Sequence, residues 1–411
     1  MQLSKQLVLF RYILKQLGYT EFETLREEFR NKQTGVSTTG TSYFASIIIA
    51  NSLGQVEDQQ VKEYDDAIQG YENSLRKNQT SFSNLKYYQW LALFFTEYFF
   101  DELSKQQSDF LNGLNTYLQE EPAFESIEPY TASDLKKIAY WMATGSGKTL
   151  LMHCNYWQVT KYFKNWENII LITPNAGLSR QHYESLTESG IKSHIYSGSE
   201  ESLNTSEGEI LIIEITKLVK EKVGDGVSVD VDYFSEDRNL IFIDEGHKGS
   251  KSEEQTWKSL REYLARGKES FTLEYSATFG QVINNQKKLL FNEYAKSIIF
   301  DYSYRHFYTD GYGKDFNVFN LEVENEYSDD QSRLLLTASL LGYYEQLVLF
   351  ENHREDLRTY NIEKPLWVFV GSKVQGAVNQ SDISKAIRFF KNVLTNSVQF
   401  KQDITSVMLI I

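Results

Sequence analysis

Residues 138–149 read IAYWMATGSGKT, and this stretch decides the fold. The apolar run Ile138-Ala139-Tyr140-Trp141 has the character of a strand. Gly145 and Gly147 then turn the chain, and TLLMHCNYWQVTKYF from Thr149 onward has a helical pattern. A strand, a glycine-rich turn and a helix in this order let backbone N–H groups wrap around an anionic phosphate chain. The helix adds its positive dipole end to the same place. The spacing makes Thr144, Gly145, Ser146, Gly147, Lys148 and Thr149 the expected cradle. Lys148 would neutralise the terminal phosphates, and Thr149 would offer its oxygen to Mg²⁺. The first position of the usual pattern is Met142 and not glycine.

Working outward, short β-rich runs lie at 138–142, 168–173, 192–196, 209–213, 240–244 and 272–276. Helical patterns such as LSRQHYESLTESG (178–190) and EEQTWKSLREYLARG (253–267) stand between them. Alternation of this kind predicts an α/β fold, a mainly parallel sheet covered by helices on both faces. In such sheets ligands bind at the carboxyl ends of the strands.

The second motif is IFIDEGH, residues 241–247. An apolar strand delivers Asp244 and Glu245 to its carboxyl end, as a Mg·nucleotide site facing a phosphate loop requires. Asp244 would hold Mg²⁺ through water and Glu245 would polarise the attacking water. Standing alone, the pair could equally end a strand before a turn. Ser276-Ala277-Thr278, closing FTLEYSAT, could by itself also be a turn. In LITPNAGLSRQ (171–181) a strand ends at Thr173-Pro174, where hydroxyl and N–H groups would face a nucleic-acid phosphate.

Taken together and in order, ATGSGKT, LITPNAGLSRQ, DEGH and SAT resemble motifs I, Ia, II and III of superfamily-two helicases of the DEAD/DEAH type. The MATGSGKT form, with Met142 where DEAD-box proteins carry alanine, is similar to the restriction-enzyme branch, which includes the motor subunits of type III restriction systems. The resemblance implies two RecA-like domains with ATP and Mg²⁺ between them, and stepping along DNA or RNA. It implies that Gln89, in KYYQW, reads adenine, and that Thr216, in IIEITKL, contacts nucleic acid. His247 and Ser276–Thr278 would link the nucleotide to the nucleic-acid groove. Phe369–Ser372 resembles motif IV, at the start of a second RecA-like domain. Motifs V and VI, with their arginine finger, and a nuclease module are not found. The expectation is therefore a chain that binds Mg·ATP, turns it over slowly alone, and is completed by a downstream nuclease segment or a methyltransferase or specificity subunit.

The expected organisation is a helical region over 1–80, a RecA-like ATP-binding domain over 81–280, a tyrosine-rich and helical connector over 281–360, and the incomplete second domain over 361–411. Within it, 105–133 reads as an irregular insertion, 366–372 as a buried strand and the terminal ITSVMLII as another strand. The formal net charge of −14 argues against a protein that coats nucleic acid, and leaves room for a local basic groove. The single cysteine, Cys154, excludes an internal disulfide and points to a reducing cytoplasm. No apolar run reaches the length of a membrane span, and the amphipathic start, MQLSKQLVLFRYILKQLG, is not a signal peptide. The other histidines, His153, His182, His194, His306 and His353, show no metal spacing and read as structural. Other readings are a general helicase outside restriction, a P-loop nucleotide-binding module that never touches nucleic acid, and a non-catalytic interaction module.

Overall fold

The computed structural model describes residues 2–32, 34–79, 82–219, 228–245, 263–265, 267, 269–283, 288–313, 328–358, 362–369 and 382–410. Two compact units are present, 1–314 and 315–411.

The first unit is built on seven parallel strands. In chain order these are β1 (Lys137–Met142), β2 (Asn168–Thr173), β3 (Ser193–Ile195), β4 (Ile210–Glu214), β7 (Asn239–Asp244), β8 (Phe271–Ser276) and β9 (Ile298–Tyr302). Between β4 and β7 lies a separate two-stranded ladder of β5 (Leu218–Val219) and β6 (Val229–Asp230). The main sheet runs β3-β4-β2-β7-β8-β1-β9. All six predicted strands form, and β9 is an addition. Because every neighbouring pair is parallel, all carboxyl ends lie along one edge. Strands buried on both faces carry near-continuous apolar runs, and NIILIT of β2 shows why. Ile169 and Leu171 enter one core while Ile170 and Ile172 enter the other.

The larger core takes in the N-terminal helices α1 (Val8–Gln16), α2 (Phe22–Arg30), α3 (Tyr43–Asn51) and α4 (Asp58–Asn78). It also holds α5 (Tyr87–Glu120) and α6 (Lys148–Tyr162), while α7 (Ala176–Glu188) follows β2. Phe10, Phe22 and Phe300 meet edge to face, and Phe95 packs on Phe300. The buried Glu97 of α5 accepts from Tyr71, Gln158, Lys161 and Tyr162 at 2.8–2.9 Å, which satisfies its charge inside the helix layer. Cys154 lies fully buried on α6, where desolvation pushes its thiol pKa up and keeps it unreactive.

The expected boundaries near 80 and 280 both fall inside this unit. α1 shares its core with α5 and β9, and β9 hydrogen-bonds to β1. The insertion expected over 105–133 is helical as far as Glu120. Gln106 breaks the helix at φ −146°, but Phe110, Leu114, Tyr117 and Leu118 then restore a buried helical face.

The second unit is helical in its described residues. The helix Asp329–Asn352 begins with a capping box, in which Ser328 and Gln331 exchange side-chain to backbone hydrogen bonds. The terminal segment forms the helix Ser397–Ile410 and not the expected strand. Its buried Asp403 accepts from Arg333 Nε at 2.9 Å, and Val407 one turn on is also buried. Residues 366–369 of the expected motif IV strand are irregular, with Leu366 82% and Val368 64% exposed; 370–372 lie outside the described residues. Trp367 holds that segment by stacking on Tyr343, and no strand partner is present among the described residues. The helix expected near 381–394 does form, as Asp382–Thr395.

Candidate active site

The described strand ends and turns that carry predicted site residues lie along the carboxyl edge of the sheet. The turn after β1 carries Thr144–Gly147, β8 ends beside it at Ser276, and β7 ends one strand further at Asp244. β2 ends next at Thr173, and β4 beyond it at Glu214, just before Thr216.

The turn is shaped by its glycines. Gly145 and Gly147 have φ of +83° and +90°, a region that only glycine enters without strain. Ser146 closes the turn by donating its hydroxyl to the Ala143 carbonyl at 2.7 Å. Gly147 is the N-cap of α6 and supplies no side-chain cap, so the first N–H groups of the helix are left for another acceptor. Gln89 braces the turn from α5: its amide donates to the Ser146 carbonyl at 2.9 Å and accepts from the Lys86 N–H at 2.8 Å. A Cβ on residue 147 would come within 2.4 Å of the Gln89 amide nitrogen, so this approach requires glycine. Gln89, placed by resemblance at the adenine, thus has its amide on the glycine turn and is only 7% exposed. Thr144 is exposed, and Thr149 is half-buried on the first turn of α6.

Lys148 reaches across the site. Its ammonium lies 3.4 Å from Glu245 Oε1 and 3.4 Å from the Met142 carbonyl. Glu245 takes a φ of +53°, a strained conformation for a residue with a Cβ, while its N–H extends the β7–β8 ladder to the Tyr275 carbonyl. The neighbouring Asp244 turns elsewhere: Oδ2 accepts from His182 Nε2 of α7 at 2.9 Å. His182 had read as a structural histidine with no metal spacing. Its only sequence signal is the buried helix face it shares with Ser179 and Leu186. His153, on α6, is held neutral, its pKa pushed down to about 3 by burial and then by the nearby His182.

Ser276 is fully buried, and its hydroxyl accepts from the Thr278 N–H. Trp141 of β1 donates to the Ala277 carbonyl at 3.1 Å, which ties this tripeptide to the strand before the glycine turn. The hydroxyl of Thr173 is not presented to solvent: it is buried and shares a 2.6 Å hydrogen bond with Ser179. Pro174 is half-buried, and the exposed residues of that motif are Asn175–Gly177, Arg180 and Gln181. Thr216 is exposed and donates to Glu214 at 2.7 Å. Gly246 and His247 lie outside the described residues.

The carboxyl end of β9 flanks the turn, a neighbour that the sequence did not announce. Ala143 donates to the Tyr302 carbonyl, and Tyr302 stacks on Tyr88 of α5 at 4.0 Å. Among the described residues no cluster of three or more His, Cys, Asp and Glu side chains could hold a metal alone. A hydroxyl and a carboxylate, Thr149 and Asp244, are hard oxygen donors of the kind that share Mg²⁺ with phosphates. No helix among the described residues is long and apolar enough to cross a membrane.

A parallel sheet with a glycine turn and an acidic strand end along one edge is an architecture of nucleotide-binding α/β domains. Residues 83–281 match the family described as "Type III restriction enzyme, res subunit", and over those residues the chain carries a domain of that family. No curated protein matches the chain. Among solved structures it is similar to the UvsW helicase from bacteriophage T4, at 13% identity and a TM-score of 0.30. That match covers 43% of this chain and 60% of the helicase chain.

Proposed function

We propose that this protein binds ATP with Mg²⁺ and hydrolyses it to drive movement along nucleic acid, DNA in the first instance, within a type III restriction-like system of the cytoplasm. The observation that carries this reading is the meeting of Lys148 with Glu245, 3.4 Å apart, at the mouth of a glycine turn that leads into α6. Cation, carboxylate and unpaired helix N–H groups at one point are what an attacking water and a terminal phosphate need. Gly145–Thr149 would cradle the phosphates, with Lys148 against the terminal pair. Thr149 and Asp244 would hold Mg²⁺, which when bound neutralises charge on the phosphate oxygens. Glu245 would orient and polarise the water, and Gln89 would fix the loop on which the phosphates rest.

Ser276–Thr278 lies between the two halves of the site and is bonded to Trp141, so it is suited to couple them; His247 would join it. The restriction-subunit description of the matched family supports DNA as the track and a methyltransferase or nuclease segment as partner. Nucleic acid would then meet the exposed start of α7, Asn175–Gly177, and Thr216, at the same sheet edge. Filter binding with single- and double-stranded DNA and with RNA, with and without a non-hydrolysable ATP analogue, tests the reading. DNA binding that changes with the analogue and weakens steeply with salt is expected. Absence of binding in every condition would overturn the motor reading in favour of a nucleotide module without a nucleic-acid track.

A further inference from the structure

We infer that His182 is a positioning residue for the Mg²⁺-binding carboxylate, holding Asp244 in place and tying helix α7 to the nucleotide site. The inference rests on the reading of Asp244 given above and adds a residue from outside the motifs. His182 Nε2 lies 2.9 Å from Asp244 Oδ2, with the imidazole 3% and the carboxylate 11% exposed. An ionised carboxylate can only accept, so Nε2 carries the shared proton. The other ring nitrogen, Nδ1, is buried with no hydrogen-bond partner among the described residues, so the bond to Asp244 is the ring's anchor. Packing alone does not call for an imidazole here. The buried face of α7 is Ser179, His182 and Leu186, and a leucine would fill the middle position without desolvating a polar ring.

The same helix face makes a second polar link one turn earlier, where Ser179 meets Thr173 at 2.6 Å. Thr173 ends β2 and Asp244 ends the adjacent β7, so α7 is stitched to two neighbouring strand ends. A shift of α7, whose first turn includes the exposed Ala176 and Gly177, would therefore carry His182 and pull on the carboxylate. Groups that orient a metal ligand typically change metal affinity by about 10–100-fold when removed.

The test uses the full chain and a readout other than turnover: Mn²⁺ binding in the presence of ADP, followed by electron paramagnetic resonance, with ADP affinity measured in parallel in EDTA. His182→Ala is expected to weaken Mn²⁺ binding about 10-fold, with ADP affinity in EDTA unchanged. His182→Gln, whose amide N–H can donate to the carboxylate, is expected to recover most of the loss. If His182→Ala does not fold, His182→Leu fills the same buried face and carries the comparison with His182→Gln. Apolar variants that bind Mn²⁺ within twofold of the unmodified protein would overturn the inference, as would a glutamine variant no better than the apolar one. Failure of the unmodified protein to bind Mn²⁺ with ADP would instead overturn the reading of the ATP site.

Discussion

Lys148→Ala is expected to weaken ATP binding on the order of 100-fold and to remove hydrolysis with it. The lysine side chain is 12% exposed and its ammonium is anchored between the Met142 carbonyl and Glu245, so it is already aimed at the mouth of the turn. A charged hydrogen bond is worth about 1.5–3 kcal/mol, and the lysine would make such bonds to two phosphates. About 3 kcal/mol corresponds to a factor of roughly 100 in affinity. The side chain lies outside the apolar cores, so the variant should melt close to the unmodified protein. Titration with a fluorescent ATP analogue reads the effect. An affinity within a few-fold of the original would mean that the turn is not a phosphate site.

Glu245→Gln separates binding from chemistry. Glutamine has the same shape and can occupy the same left-handed backbone at residue 245, but it cannot take a proton from water. Loss of a positioned general base typically costs about 10²–10⁴ in rate. The expected result is Mg·ATP that binds and stays bound, seen as nucleotide retained on filters together with a single-turnover rate lowered by that factor. Hydrolysis at the original rate would remove Glu245 from the proposed role and leave Lys148 untouched.

The parts of this fold that could be read from the sequence are those where one local pattern has one physical meaning. Ile138–Thr149 could only be a strand, a glycine turn and a helix, and the apolar runs at 168–173 and 240–244 are too short and too uniformly apolar for surface helices. β9 was harder: IIFDY is five residues long and sits in a tyrosine-rich context, and only pairing with β1 makes it a strand. ITSVMLII misled in the opposite direction. Its β-branched residues favour a strand, but Asp403 and Val407 fall one turn apart, and the ion pair with Arg333 secures a helix. In the candidate site, motif spacing marked Lys148, Asp244 and Glu245. It could not show that Gln89 braces Ser146 or that His182 meets Asp244, because these contacts join elements about sixty residues apart in the chain, nor that Thr173, six residues from Ser179, turns inward to it, because the motif does not fix the direction of its side chain.

The joint between the N-terminal helices and the sheet sets a limit on dissection. Arg26 of α2 pairs with the buried Asp310 at 3.1 Å, and Tyr87 of α5 hydrogen-bonds to the same carboxylate. Phe10, Phe22 and Phe300 interlock around them. The stretch that matches the restriction-subunit family, 83–281, includes neither Asp310 nor β9 on one side, nor Phe10 and Arg26 on the other. The edges of that match and the edges of the compact unit are different lines. A piece cut at the first would present raw aromatic surface and leave β1 as an open edge strand, and should be recovered as aggregate, whereas a cut after Lys314 keeps the compact unit whole.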